Sequence, residues 1–331
     1  MIKKSDISLL PRITFNLAIY NEEKRLPRCL NSIRKQNYPQ KKIEIVLMDG
    51  GSTDKTKQIA KKYKAKLFYN EKRLPEPGFA KGYKIASGDY VVFMAADNVL
   101  YDNFWLKKII QPFLDYPDNV FASFSKVVND KKDNIWSQYL NEDTDPFNAF
   151  VYGNCSNPDK FSKEYKIKIK NKNYIIYDFN PDNYPLIALA QGTTIKKDLQ
   201  RTDDTIYDDI APLIDIIKRG KDIAYVKNTG IRHYSLKGFS DFCRKFNKRI
   251  YNSMKTGSYY TREQFNSTKR KLRKYLFLIF TLSLLPLLAE TLYLLIKKRK
   301  KYLLLHPLAC LTICYYIILN FIKVNIKKNN Y

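Results

Sequence analysis

The sequence predicts an α/β fold with a mostly parallel sheet, followed by a hydrophobic helical hairpin. Short β-rich apolar runs alternate with amphipathic helical segments through the first hundred residues, a pattern typical of parallel strands joined by right-handed crossovers. Two later apolar runs, 276–296 and 302–322, each hold 21 residues, close to the ~20 that cross a bilayer as a helix. These two observations define the predicted fold class.

The composition describes a folded, strongly basic chain. Its 331 residues are 45% hydrophobic, which excludes wholesale disorder, and they carry a formal charge of +27. Such a charge favours a polyanionic partner, either nucleic acid or an anionic membrane surface. The five cysteines lack metal-ligand spacing, so neither a disulfide framework nor a zinc site is expected. The start, MIKKSDISLLP, lacks the apolar stretch of a signal peptide, so we expect it in the cytoplasm.

The first predicted strands each end at polar residues. Tyr20 follows the run ITFNLAI, Asp49 ends a buried strand, and Asp97 with Asn98 ends DYVVFMAADN. Ligands of parallel sheets bind beyond the carboxyl ends of the strands. Asp49 suits hydrogen bonds from a base or ribose, and Asp97 with Asn98 offers the oxygen ligands that Mg2+ or Mn2+ prefers. The alternative is that both aspartates are ordinary turn residues. Neither a G-x-G-x-x-G after the first strand nor a P-loop motif is present.

The runs YNEE, DGGSTDKT and GDYVVFMAADN resemble the nucleotide-binding half of family 2 glycosyltransferases with the GT-A fold. The resemblance implies a Rossmann-like, nucleotide-sugar-binding domain in which Asp49 holds the nucleoside. It also implies that Asp97, helped by Asn98, holds the metal and the sugar diphosphate. The first Asp of the family's D-x-D motif is replaced by Ala95 in this chain, so metal binding would rest on Asp97.

Further donor contacts are implied by the same resemblance. Tyr20 and Glu22 belong to the first motif and are assigned to the donor side. Lys81, within EPGFAKGYKIASGDY, matches the stretch in which a basic residue approaches the donor phosphates. The alternative for Lys81 is an exposed charge on a helix.

A second group of matches lies further along the chain. Asp209, Gly220 and His233 reproduce the family's intervals of eleven and thirteen residues. The resemblance assigns the catalytic base to Asp209, with Asp208 beside it, because the acceptor hydroxyl must lose a proton. Helix capping is the alternative for this acidic pair. His233 would ligate the metal or contact the diphosphate, unless it is purely structural.

The acceptor side is less marked in the sequence. In the resembling family the segment LIALAQGTTIKKDL lines it, which places Gln191 and Gly192 near the sugar. Residues 129–184 show little periodicity and are interpreted as a variable region near the acceptor. The Q-x-x-R-W motif of processive synthases is not found.

The charge is concentrated around the two apolar runs. Residues 269–331 hold 13 Lys and Arg against a single acid, and two basic clusters, KRKLRK at 269–274 and KKRKK at 297–301, frame the first run. A pair of buried helices in a soluble protein is the alternative, although such helices are rarely apolar on every face. If both runs cross the membrane, the positive-inside bias of the flanking residues points the right way but is weak. Because Pro286 and Pro307 interrupt the runs, a re-entrant hairpin that never fully crosses is the alternative.

A basic amphipathic helix is predicted between the catalytic region and the apolar runs. Its apolar face holds, at helical spacing, Phe239, Phe242, Phe246, Ile250 and Met254. This pattern favours contact with anionic lipids, and the alternative is a helix packed on the protein with a solvated basic face. The predicted organisation is a GT-A domain at 1–236, basic juxtamembrane helices at 237–274, and the membrane helices with a basic tail at 275–331.

Together these features predict an inverting, metal-dependent hexosyltransferase in the cell membrane with a cytoplasmic catalytic domain. The donor would be a UDP- or GDP-sugar, and the acceptor a polyprenyl phosphate or a lipid-linked glycan, as in similar polyprenyl-phosphate or cell-surface-glycan transferases. Ala95 motivates an alternative, a catalytically impaired membrane protein with a non-enzymatic binding role. Nucleic acid is not an expected partner, since no recognition module is evident. The sugar, the acceptor and the oligomeric state are not predicted.

Overall fold

The structure is a computed structural model that describes residues 10–142, 144–152, 157–181, 183–185, 187–198, 211–234, 236–256 and 268–329. The chain forms two compact units. The sheet unit comprises Met1–Val128 and Pro158–His233, and the helical unit comprises Asn129–Asn157 and Tyr234–Tyr331. The helical unit is therefore assembled from two separate stretches of the chain.

The sheet unit is built on one ten-stranded sheet. Its strands are β1 Ile13–Ile19, β2 Ile43–Asp49, β3 Lys66–Tyr69, β4 Tyr90–Met94, β5 Asn98–Leu100, β6 Val120–Val127, β7 Ile167–Lys170, β8 Tyr174–Tyr177, β9 Gln191–Lys196 and β10 Asp222–His233. They lie in the order β3-β2-β1-β4-β9-β6-β10-β8-β7, with β5 paired to β10. Pairing is parallel from β3 to β4 and between β6 and β10, and antiparallel elsewhere. The predicted α/β fold is confirmed.

Helices cover the sheet and form the second unit. In chain order they are α1 Leu26–Arg34, α2 Thr56–Lys62, α3 Pro75–Ile85, α4 Trp105–Asp115, α5 Ile135–Glu142, α6 Pro146–Tyr152, α7 Ala211–Lys218, α8 Phe239–Thr256, α9 Thr268–Leu282, α10 Leu285–Lys298 and α11 His306–Asn329. Helices α1 to α4 and α7 belong to the sheet unit, and the others to the helical unit. Helix α1 buries one face, at helical spacing, as expected of the amphipathic helical segments of this region: Leu26, Cys29, Leu30 and Ile33.

Helix α3 packs unusually close to β1 because two of its residues are glycines. A Cβ atom built on Gly82 would lie 2.0 Å from Oδ1 of Asn16, a buried residue of β1. The amide Nδ2 of Asn16 donates to the carbonyl of Phe79 at 2.8 Å, so the strand holds the helix directly. Gly78 faces Ala18 in the same way, with 3.2 Å from its built Cβ to that of Ala18. The two glycines of the segment GFAKG thus let the helix pack closely on the strand. This packing fixes the position of Lys81, which is part of the same segment.

A half-buried carboxylate, that of Glu44, joins β1, β2 and the turn before β4. Glu44 accepts hydrogen bonds from Lys66 Nζ at 2.6 Å, from the Ser87 amide at 2.9 Å and from the hydroxyl of Thr14. Burial opposes ionisation of Glu44, but these bonds outweigh it and lower the pKa of the carboxyl to about 2. The ionised form is therefore favoured by folding.

This depressed pKa predicts a pH-dependent loss of stability. The contribution of Glu44 should be complete above its ordinary pKa of 4.5 and should disappear as the pH falls toward about 2. We expect Glu44→Gln to lower the free energy of unfolding at pH 7 by about 2 kcal/mol and to flatten its dependence between those pH values. Denaturant titrations at several pH values measure this. The exposed Glu71 provides the control Glu71→Gln, and an equal loss in both variants would contradict the assignment.

The helical unit contains the two predicted apolar runs. The segment Lys301–Ile326 is long enough to cross a membrane, and its most apolar 18 residues have a mean hydropathy of 1.9. The first run is not one helix, because Leu272–Leu282 and Leu285–Lys298 meet at 91°. Between them Leu284 adopts a left-handed conformation with φ 58°. The break lies just before Pro286, in the first turn of α10, as expected where proline interrupts a helical pattern.

The predicted amphipathic helix forms as α8. Its residues Phe242 and Phe246 are buried, with exposed fractions of 0% and 3%, and both contact other residues of the helical unit. Phe242 packs on Trp136 of α5 with 4.7 Å between ring centroids. Four basic residues of α8 are exposed: Arg244, Lys245, Lys248 and Arg249. The apolar face of α8 thus packs inside the protein, and its basic face is solvated.

Candidate active site

Two clusters of polar side chains lie at the carboxyl edge of the parallel strands. In the first, the loop after β1 is joined to the loop after β2. The Asn21 amide donates to Ser52 Oγ at 2.9 Å, and Asn21 Oδ1 accepts from the Thr53 amide at 2.9 Å. The Glu22 amide donates to Thr56 Oγ1 at 2.8 Å. The motifs YNEE and DGGSTD therefore form one rigid edge rather than two independent loops.

Asp49 ends β2 beneath this edge. Its side chain is almost fully buried, with 2% of the residue exposed. The carboxylate accepts from the Ser52 amide at 3.0 and 3.1 Å and from the Ser52 hydroxyl, and Lys57 Nζ lies 4.0 Å away. Asp49 therefore closes its own turn, which agrees with the interpretation of Asp49 as a turn residue. Oδ1 accepts both the Ser52 amide and the Ser52 hydroxyl, whereas Oδ2 accepts only the amide and retains a lone pair that a ligand N–H or hydroxyl can use.

A glycine pair follows Asp49, with Gly50 buried and Gly51 partly exposed. Tyr20 flanks Gly50 and Tyr69 flanks Gly51, and in each case a Cβ atom built on the glycine would lie 3.5 Å from the tyrosine ring. The Arg73 guanidinium lies beside Gly51. The two tyrosines are 54% and 51% exposed. A hydrogen bond that the Arg73 guanidinium donates to the Tyr69 oxygen, followed by the negative charge that the Tyr69 phenolate would carry, raises the pKa of Arg73. Two exposed rings and a guanidinium around glycine backbone suit a flat, polar ligand.

Two of these residues were not predicted. Tyr69 ends β3 and pairs with Asp49 in register, so the same strand-end argument that selected Asp49 would have found it. Arg73 lies in a loop with φ 53°, and no sequence pattern marks it. The predicted Lys81 is exposed and donates to the carbonyl of Tyr69 at 3.0 Å, which places its ammonium group beside Tyr69. The Glu22 carboxylate lies 3.8 Å from Arg25.

The second cluster gathers four predicted residues at the end of β4. Gln191 pairs with Met94, the last residue of β4, and His233 pairs with Asn98. His233 Nε2 lies 3.5 Å from Asp97 Oδ2, and His233 Nδ1 lies 3.2 Å from Gln191 Nε2. The chain thus brings together residues that are up to 136 positions apart. The imidazole is held between a carboxylate and an amide.

Buried neighbours support this second cluster. Asn98 is fully buried and donates from Nδ2 to the Ala190 carbonyl at 2.6 Å, while its Oδ1 has no hydrogen-bond partner among the described residues. Gly192 has φ +78°, and a Cβ built on it would lie 2.8 Å from Ile231. Gly192 therefore shapes the backbone just after Gln191, a role only glycine fills without strain.

The second cluster has a spacing that suits a cation. Two donors that bind one ion at about 2.1 Å and at right angles are about 3 Å apart, and the Asp97–His233 separation of 3.5 Å is close to this. No group of three or more His, Cys, Asp or Glu residues suited to a metal occurs within the described part of the chain. Among the described residues, Asp97 and His233 would thus be the two ligands offered to an ion that also binds water and substrate phosphates.

The predicted acidic pair Asp208 and Asp209 lies outside the described residues. The features that flank it in sequence are in place: α7 begins at Ala211, and Gly220 ends the helical segment with φ +67°. His233 is the last residue of β10. Of the three positions that carried the spacing match, Gly220 is thus a helix stop and His233 a strand end, as expected.

Residues 16–182 match the family described as glycosyl transferase family 2, and the chain belongs to that family. Curated relatives are similar over shorter stretches. A dolichyl N-acetyl-alpha-D-glucosaminyl phosphate 3-beta-D-2,3-diacetamido-2,3-dideoxy-beta-D-glucuronosyltransferase of Methanococcus voltae is 37% identical over 91 residues, 25% of this chain and 28% of that protein. Glycosyltransferase AglE of Haloferax volcanii is 39% identical over 56 residues, 17% of this chain and 18% of that protein. The chain thus spans under a third of the length of either relative.

A solved structure resembles most of the chain. It is the mannosyltransferase PcManGT from Pyrobaculum calidifontis in complex with GDP-Man and Mn2+, with a TM-score of 0.53 and 17% identity. The similarity covers 95% of this chain and 86% of that chain. At this identity it concerns the fold alone, and it confirms the predicted GT-A fold.

Proposed function

We propose that the chain is an inverting glycosyltransferase that moves a hexose from a nucleotide-diphosphate sugar to a lipid-linked acceptor at the cytoplasmic membrane face. The observation that carries this proposal is the pair of clusters at one sheet edge of a family 2 domain. One cluster suits a nucleoside, and the other, Asp97 with His233, suits a cation on a diphosphate. The relative from M. voltae is named for transfer to a dolichyl phosphate sugar, which supports an acceptor of this class.

The donor would lie across the two clusters. Tyr20, Tyr69 and Arg73 would hold the base above the glycine pair, and Asp49 would accept a hydrogen bond from the base or ribose. Asp97 and His233 would hold Mg2+ or Mn2+, with Asn98 supporting the loop. PcManGT was solved with GDP-Man and Mn2+, which supports a nucleotide sugar with a divalent ion. When bound, the ion would offset the negative charge of the leaving diphosphate.

The transfer itself is a single displacement. The acceptor oxygen forms a bond to the anomeric carbon while the bond to the diphosphate oxygen breaks, and the nucleoside diphosphate leaves with the electron pair. A hydroxyl acceptor must also lose its proton, and Asp209, with Asp208 beside it, would take that proton. Gln191 holds His233 from the side opposite Asp97, and with Gly192 it would border the acceptor.

A membrane location is supported by the helical unit. Its segment Lys301–Ile326 is apolar enough to enter a bilayer, and large apolar side chains of α9 to α11 are exposed. Basic clusters at 269–274 and 297–301 flank them and would attract anionic lipids. A lipid-linked acceptor would then be held close to the catalytic domain.

The test is a transfer assay on the protein in membranes. We would supply a panel of UDP- and GDP-sugars with polyprenyl phosphate and Mn2+ or Mg2+, and weigh the extracted lipid products. A lipid that gains one sugar residue supports the proposal.

A specific observation favours a second candidate, because Ala95 provides no carboxylate at the first D-x-D position. Nucleotide-sugar binding without any transfer or hydrolysis across the panel would favour a non-enzymatic binding role instead.

Asp49 and Ser52 form a matched pair for separating nucleoside binding from turn closure. We expect Asp49→Ala to weaken binding of UDP or GDP by about tenfold or more, because a hydrogen bond to a charged group is lost. Ser52→Ala breaks part of the same turn contact but leaves the carboxylate, so its effect on binding should be small. Calorimetric titration of both variants measures this. Equal losses in the two would mean that Asp49 serves the turn alone.

A further inference from the structure

The basic loop at 297–301 is fastened to helix α5. Lys298 Nζ lies 3.2 Å from Glu142 Oε1, and its side chain is only 14% exposed. The Tyr302 hydroxyl donates to the other oxygen of Glu142. One turn earlier in α5, the Tyr139 hydroxyl lies 2.8 Å from His306 Nδ1. We call these three contacts the α5 clip. They hold the end of α10 and the start of α11 against α5.

The clip decides on which side of a membrane the basic loop lies. Strand β6 ends at Val127, and α5 begins at Ile135. The eight intervening steps reach at most about 28 Å when fully extended, whereas a bilayer with its headgroups is about 40–45 Å thick. Helix α5 is therefore on the same side of a membrane as the strand that precedes it. The loop at 297–301, clipped to α5, is on that side too.

Helices α9 and α10 are too short to cross separately. The apolar part of α9, Leu272–Leu282, and the 14-residue α10 meet at 91°. At 1.5 Å per residue they are about 16 and 21 Å long, against about 30 Å of hydrocarbon. Both present apolar side chains outward, including Ile279 at 62% and Leu285 at 79% exposed. This shape suits entry into one leaflet and return.

Helix α11 is long enough to cross, but one of its faces is covered by a charged helix. Helix α8 packs along it, with Asn247 of α8 accepting from Asn320 of α11 at 2.9 Å. A crossing α11 would carry the exposed basic face of α8 into hydrocarbon, which is costly. The other face of α11 is apolar and exposed, at Leu308, Leu311, Tyr315, Ile318 and Ile322. An apolar strip on one side and a basic helix on the other suit a helix lying in the interface.

We infer that the helical unit enters only one leaflet, so that neither α9 with α10 nor α11 crosses the membrane. The partner is an anionic bilayer, and this inference rests on the membrane association in the proposed function. The exposed Lys297, Arg299, Lys300 and Lys301 then face the headgroups on the same side as the catalytic domain. The two-span arrangement would instead place these basic residues across the membrane, against the positive-inside tendency.

The test uses accessibility to a membrane-impermeant maleimide. Lys300→Cys reports on the basic loop, and Lys41→Cys, an exposed position of the sheet unit, reports on the catalytic side. Both proteins are expressed in a bacterial host and labelled in spheroplasts and in inverted vesicles, with labelling of the unmodified protein subtracted. We expect both cysteines to react in the same preparation. Reaction of Lys300→Cys only in the opposite preparation would overturn the inference.

A depth measurement supplies an independent check. Spin labels at Leu308→Cys, Tyr315→Cys and Ile322→Cys should show similar depths in vesicles of phosphatidylcholine and phosphatidylglycerol if α11 lies flat. In a crossing helix the middle label would be about 10 Å deeper than the outer two, which would contradict the inference. Protein that stays out of the membrane fraction in flotation would refute the membrane part of the proposed function instead. Membrane-bound protein without transfer activity would leave the one-leaflet arrangement intact.

Discussion

Replacing Asp97 by asparagine is expected to reduce the transfer rate by about 10²–10³-fold. Asp97 is the carboxylate of the second cluster, and its Oδ2 lies 3.5 Å from His233 Nε2. Because Ala95 replaces the other acid of the D-x-D motif, no carboxylate at that position is present to compensate. The substitution keeps the size of the side chain but removes the negative charge that a cation on the donor diphosphate requires.

A second readout separates this role from general damage. Binding of Mn2+ in the presence of UDP, followed by electron paramagnetic resonance, should weaken in Asp97→Asn along with the activity. Asp102→Asn is the control, because Asp102 is a partly buried carboxylate that instead bonds Lys108 at 3.2 Å and Thr229 at 2.7 Å. Full activity and unchanged Mn2+ binding in Asp97→Asn would remove Asp97 from the site.

Replacing Asp209 by asparagine is expected to lower kcat by about 10²–10⁴-fold when the acceptor is a sugar hydroxyl. The amide cannot accept the acceptor proton, so the acid limb of the pH–rate profile should disappear with the activity. Binding of the nucleotide and of Mn2+ should be retained, since these depend on the two clusters. Asp208→Asn is the matched control and should have the smaller effect.

The size of the Asp209 effect also reports on the acceptor. A polyprenyl phosphate arrives already ionised and needs no strong base, so Asp209→Asn should then reduce kcat far less. A hydroxyl of a lipid-linked glycan needs the base in full. Measuring the variant with both acceptors distinguishes these cases, and a wild-type rate with both would show that Asp209 is not the base.

The sequence predicted the parallel half of the sheet well, because each strand there is a short apolar run closed by a polar turn. The antiparallel strands β7 and β8 were missed. Each is only four residues long, and they lie in a region whose composition is polar and aperiodic, so neither length nor alternation marks them. The three-residue β5 was missed for the same reason. Such strands form because the sheet edge is already present, which is tertiary information.

The candidate site divides in a similar way. Residues at strand ends, such as Asp49 and Asp97, follow from the rule for ligand sites in parallel sheets. The contact of His233 with Asp97 depends on the antiparallel pairing of β10 with β5, which could be anticipated only through the family resemblance. Arg73 is positioned by a loop with φ 53°, and loop geometry of this kind is not encoded in periodicity.

The α5 clip and the aromatic contacts of α5 and α6 have a practical consequence for handling the protein. Trp136 of α5 packs on Phe242, and Phe147 of α6 packs on Phe277 at 5.3 Å between centroids. These covering residues come from the C-terminal helices, whereas Trp136 and Phe147 are inserted in the middle of the catalytic sequence. A truncation after residue 236 would expose the rings of Trp136 and Phe147 to solvent and promote aggregation. The C-terminal helices are thus an integral part of the helical unit rather than a removable appendage.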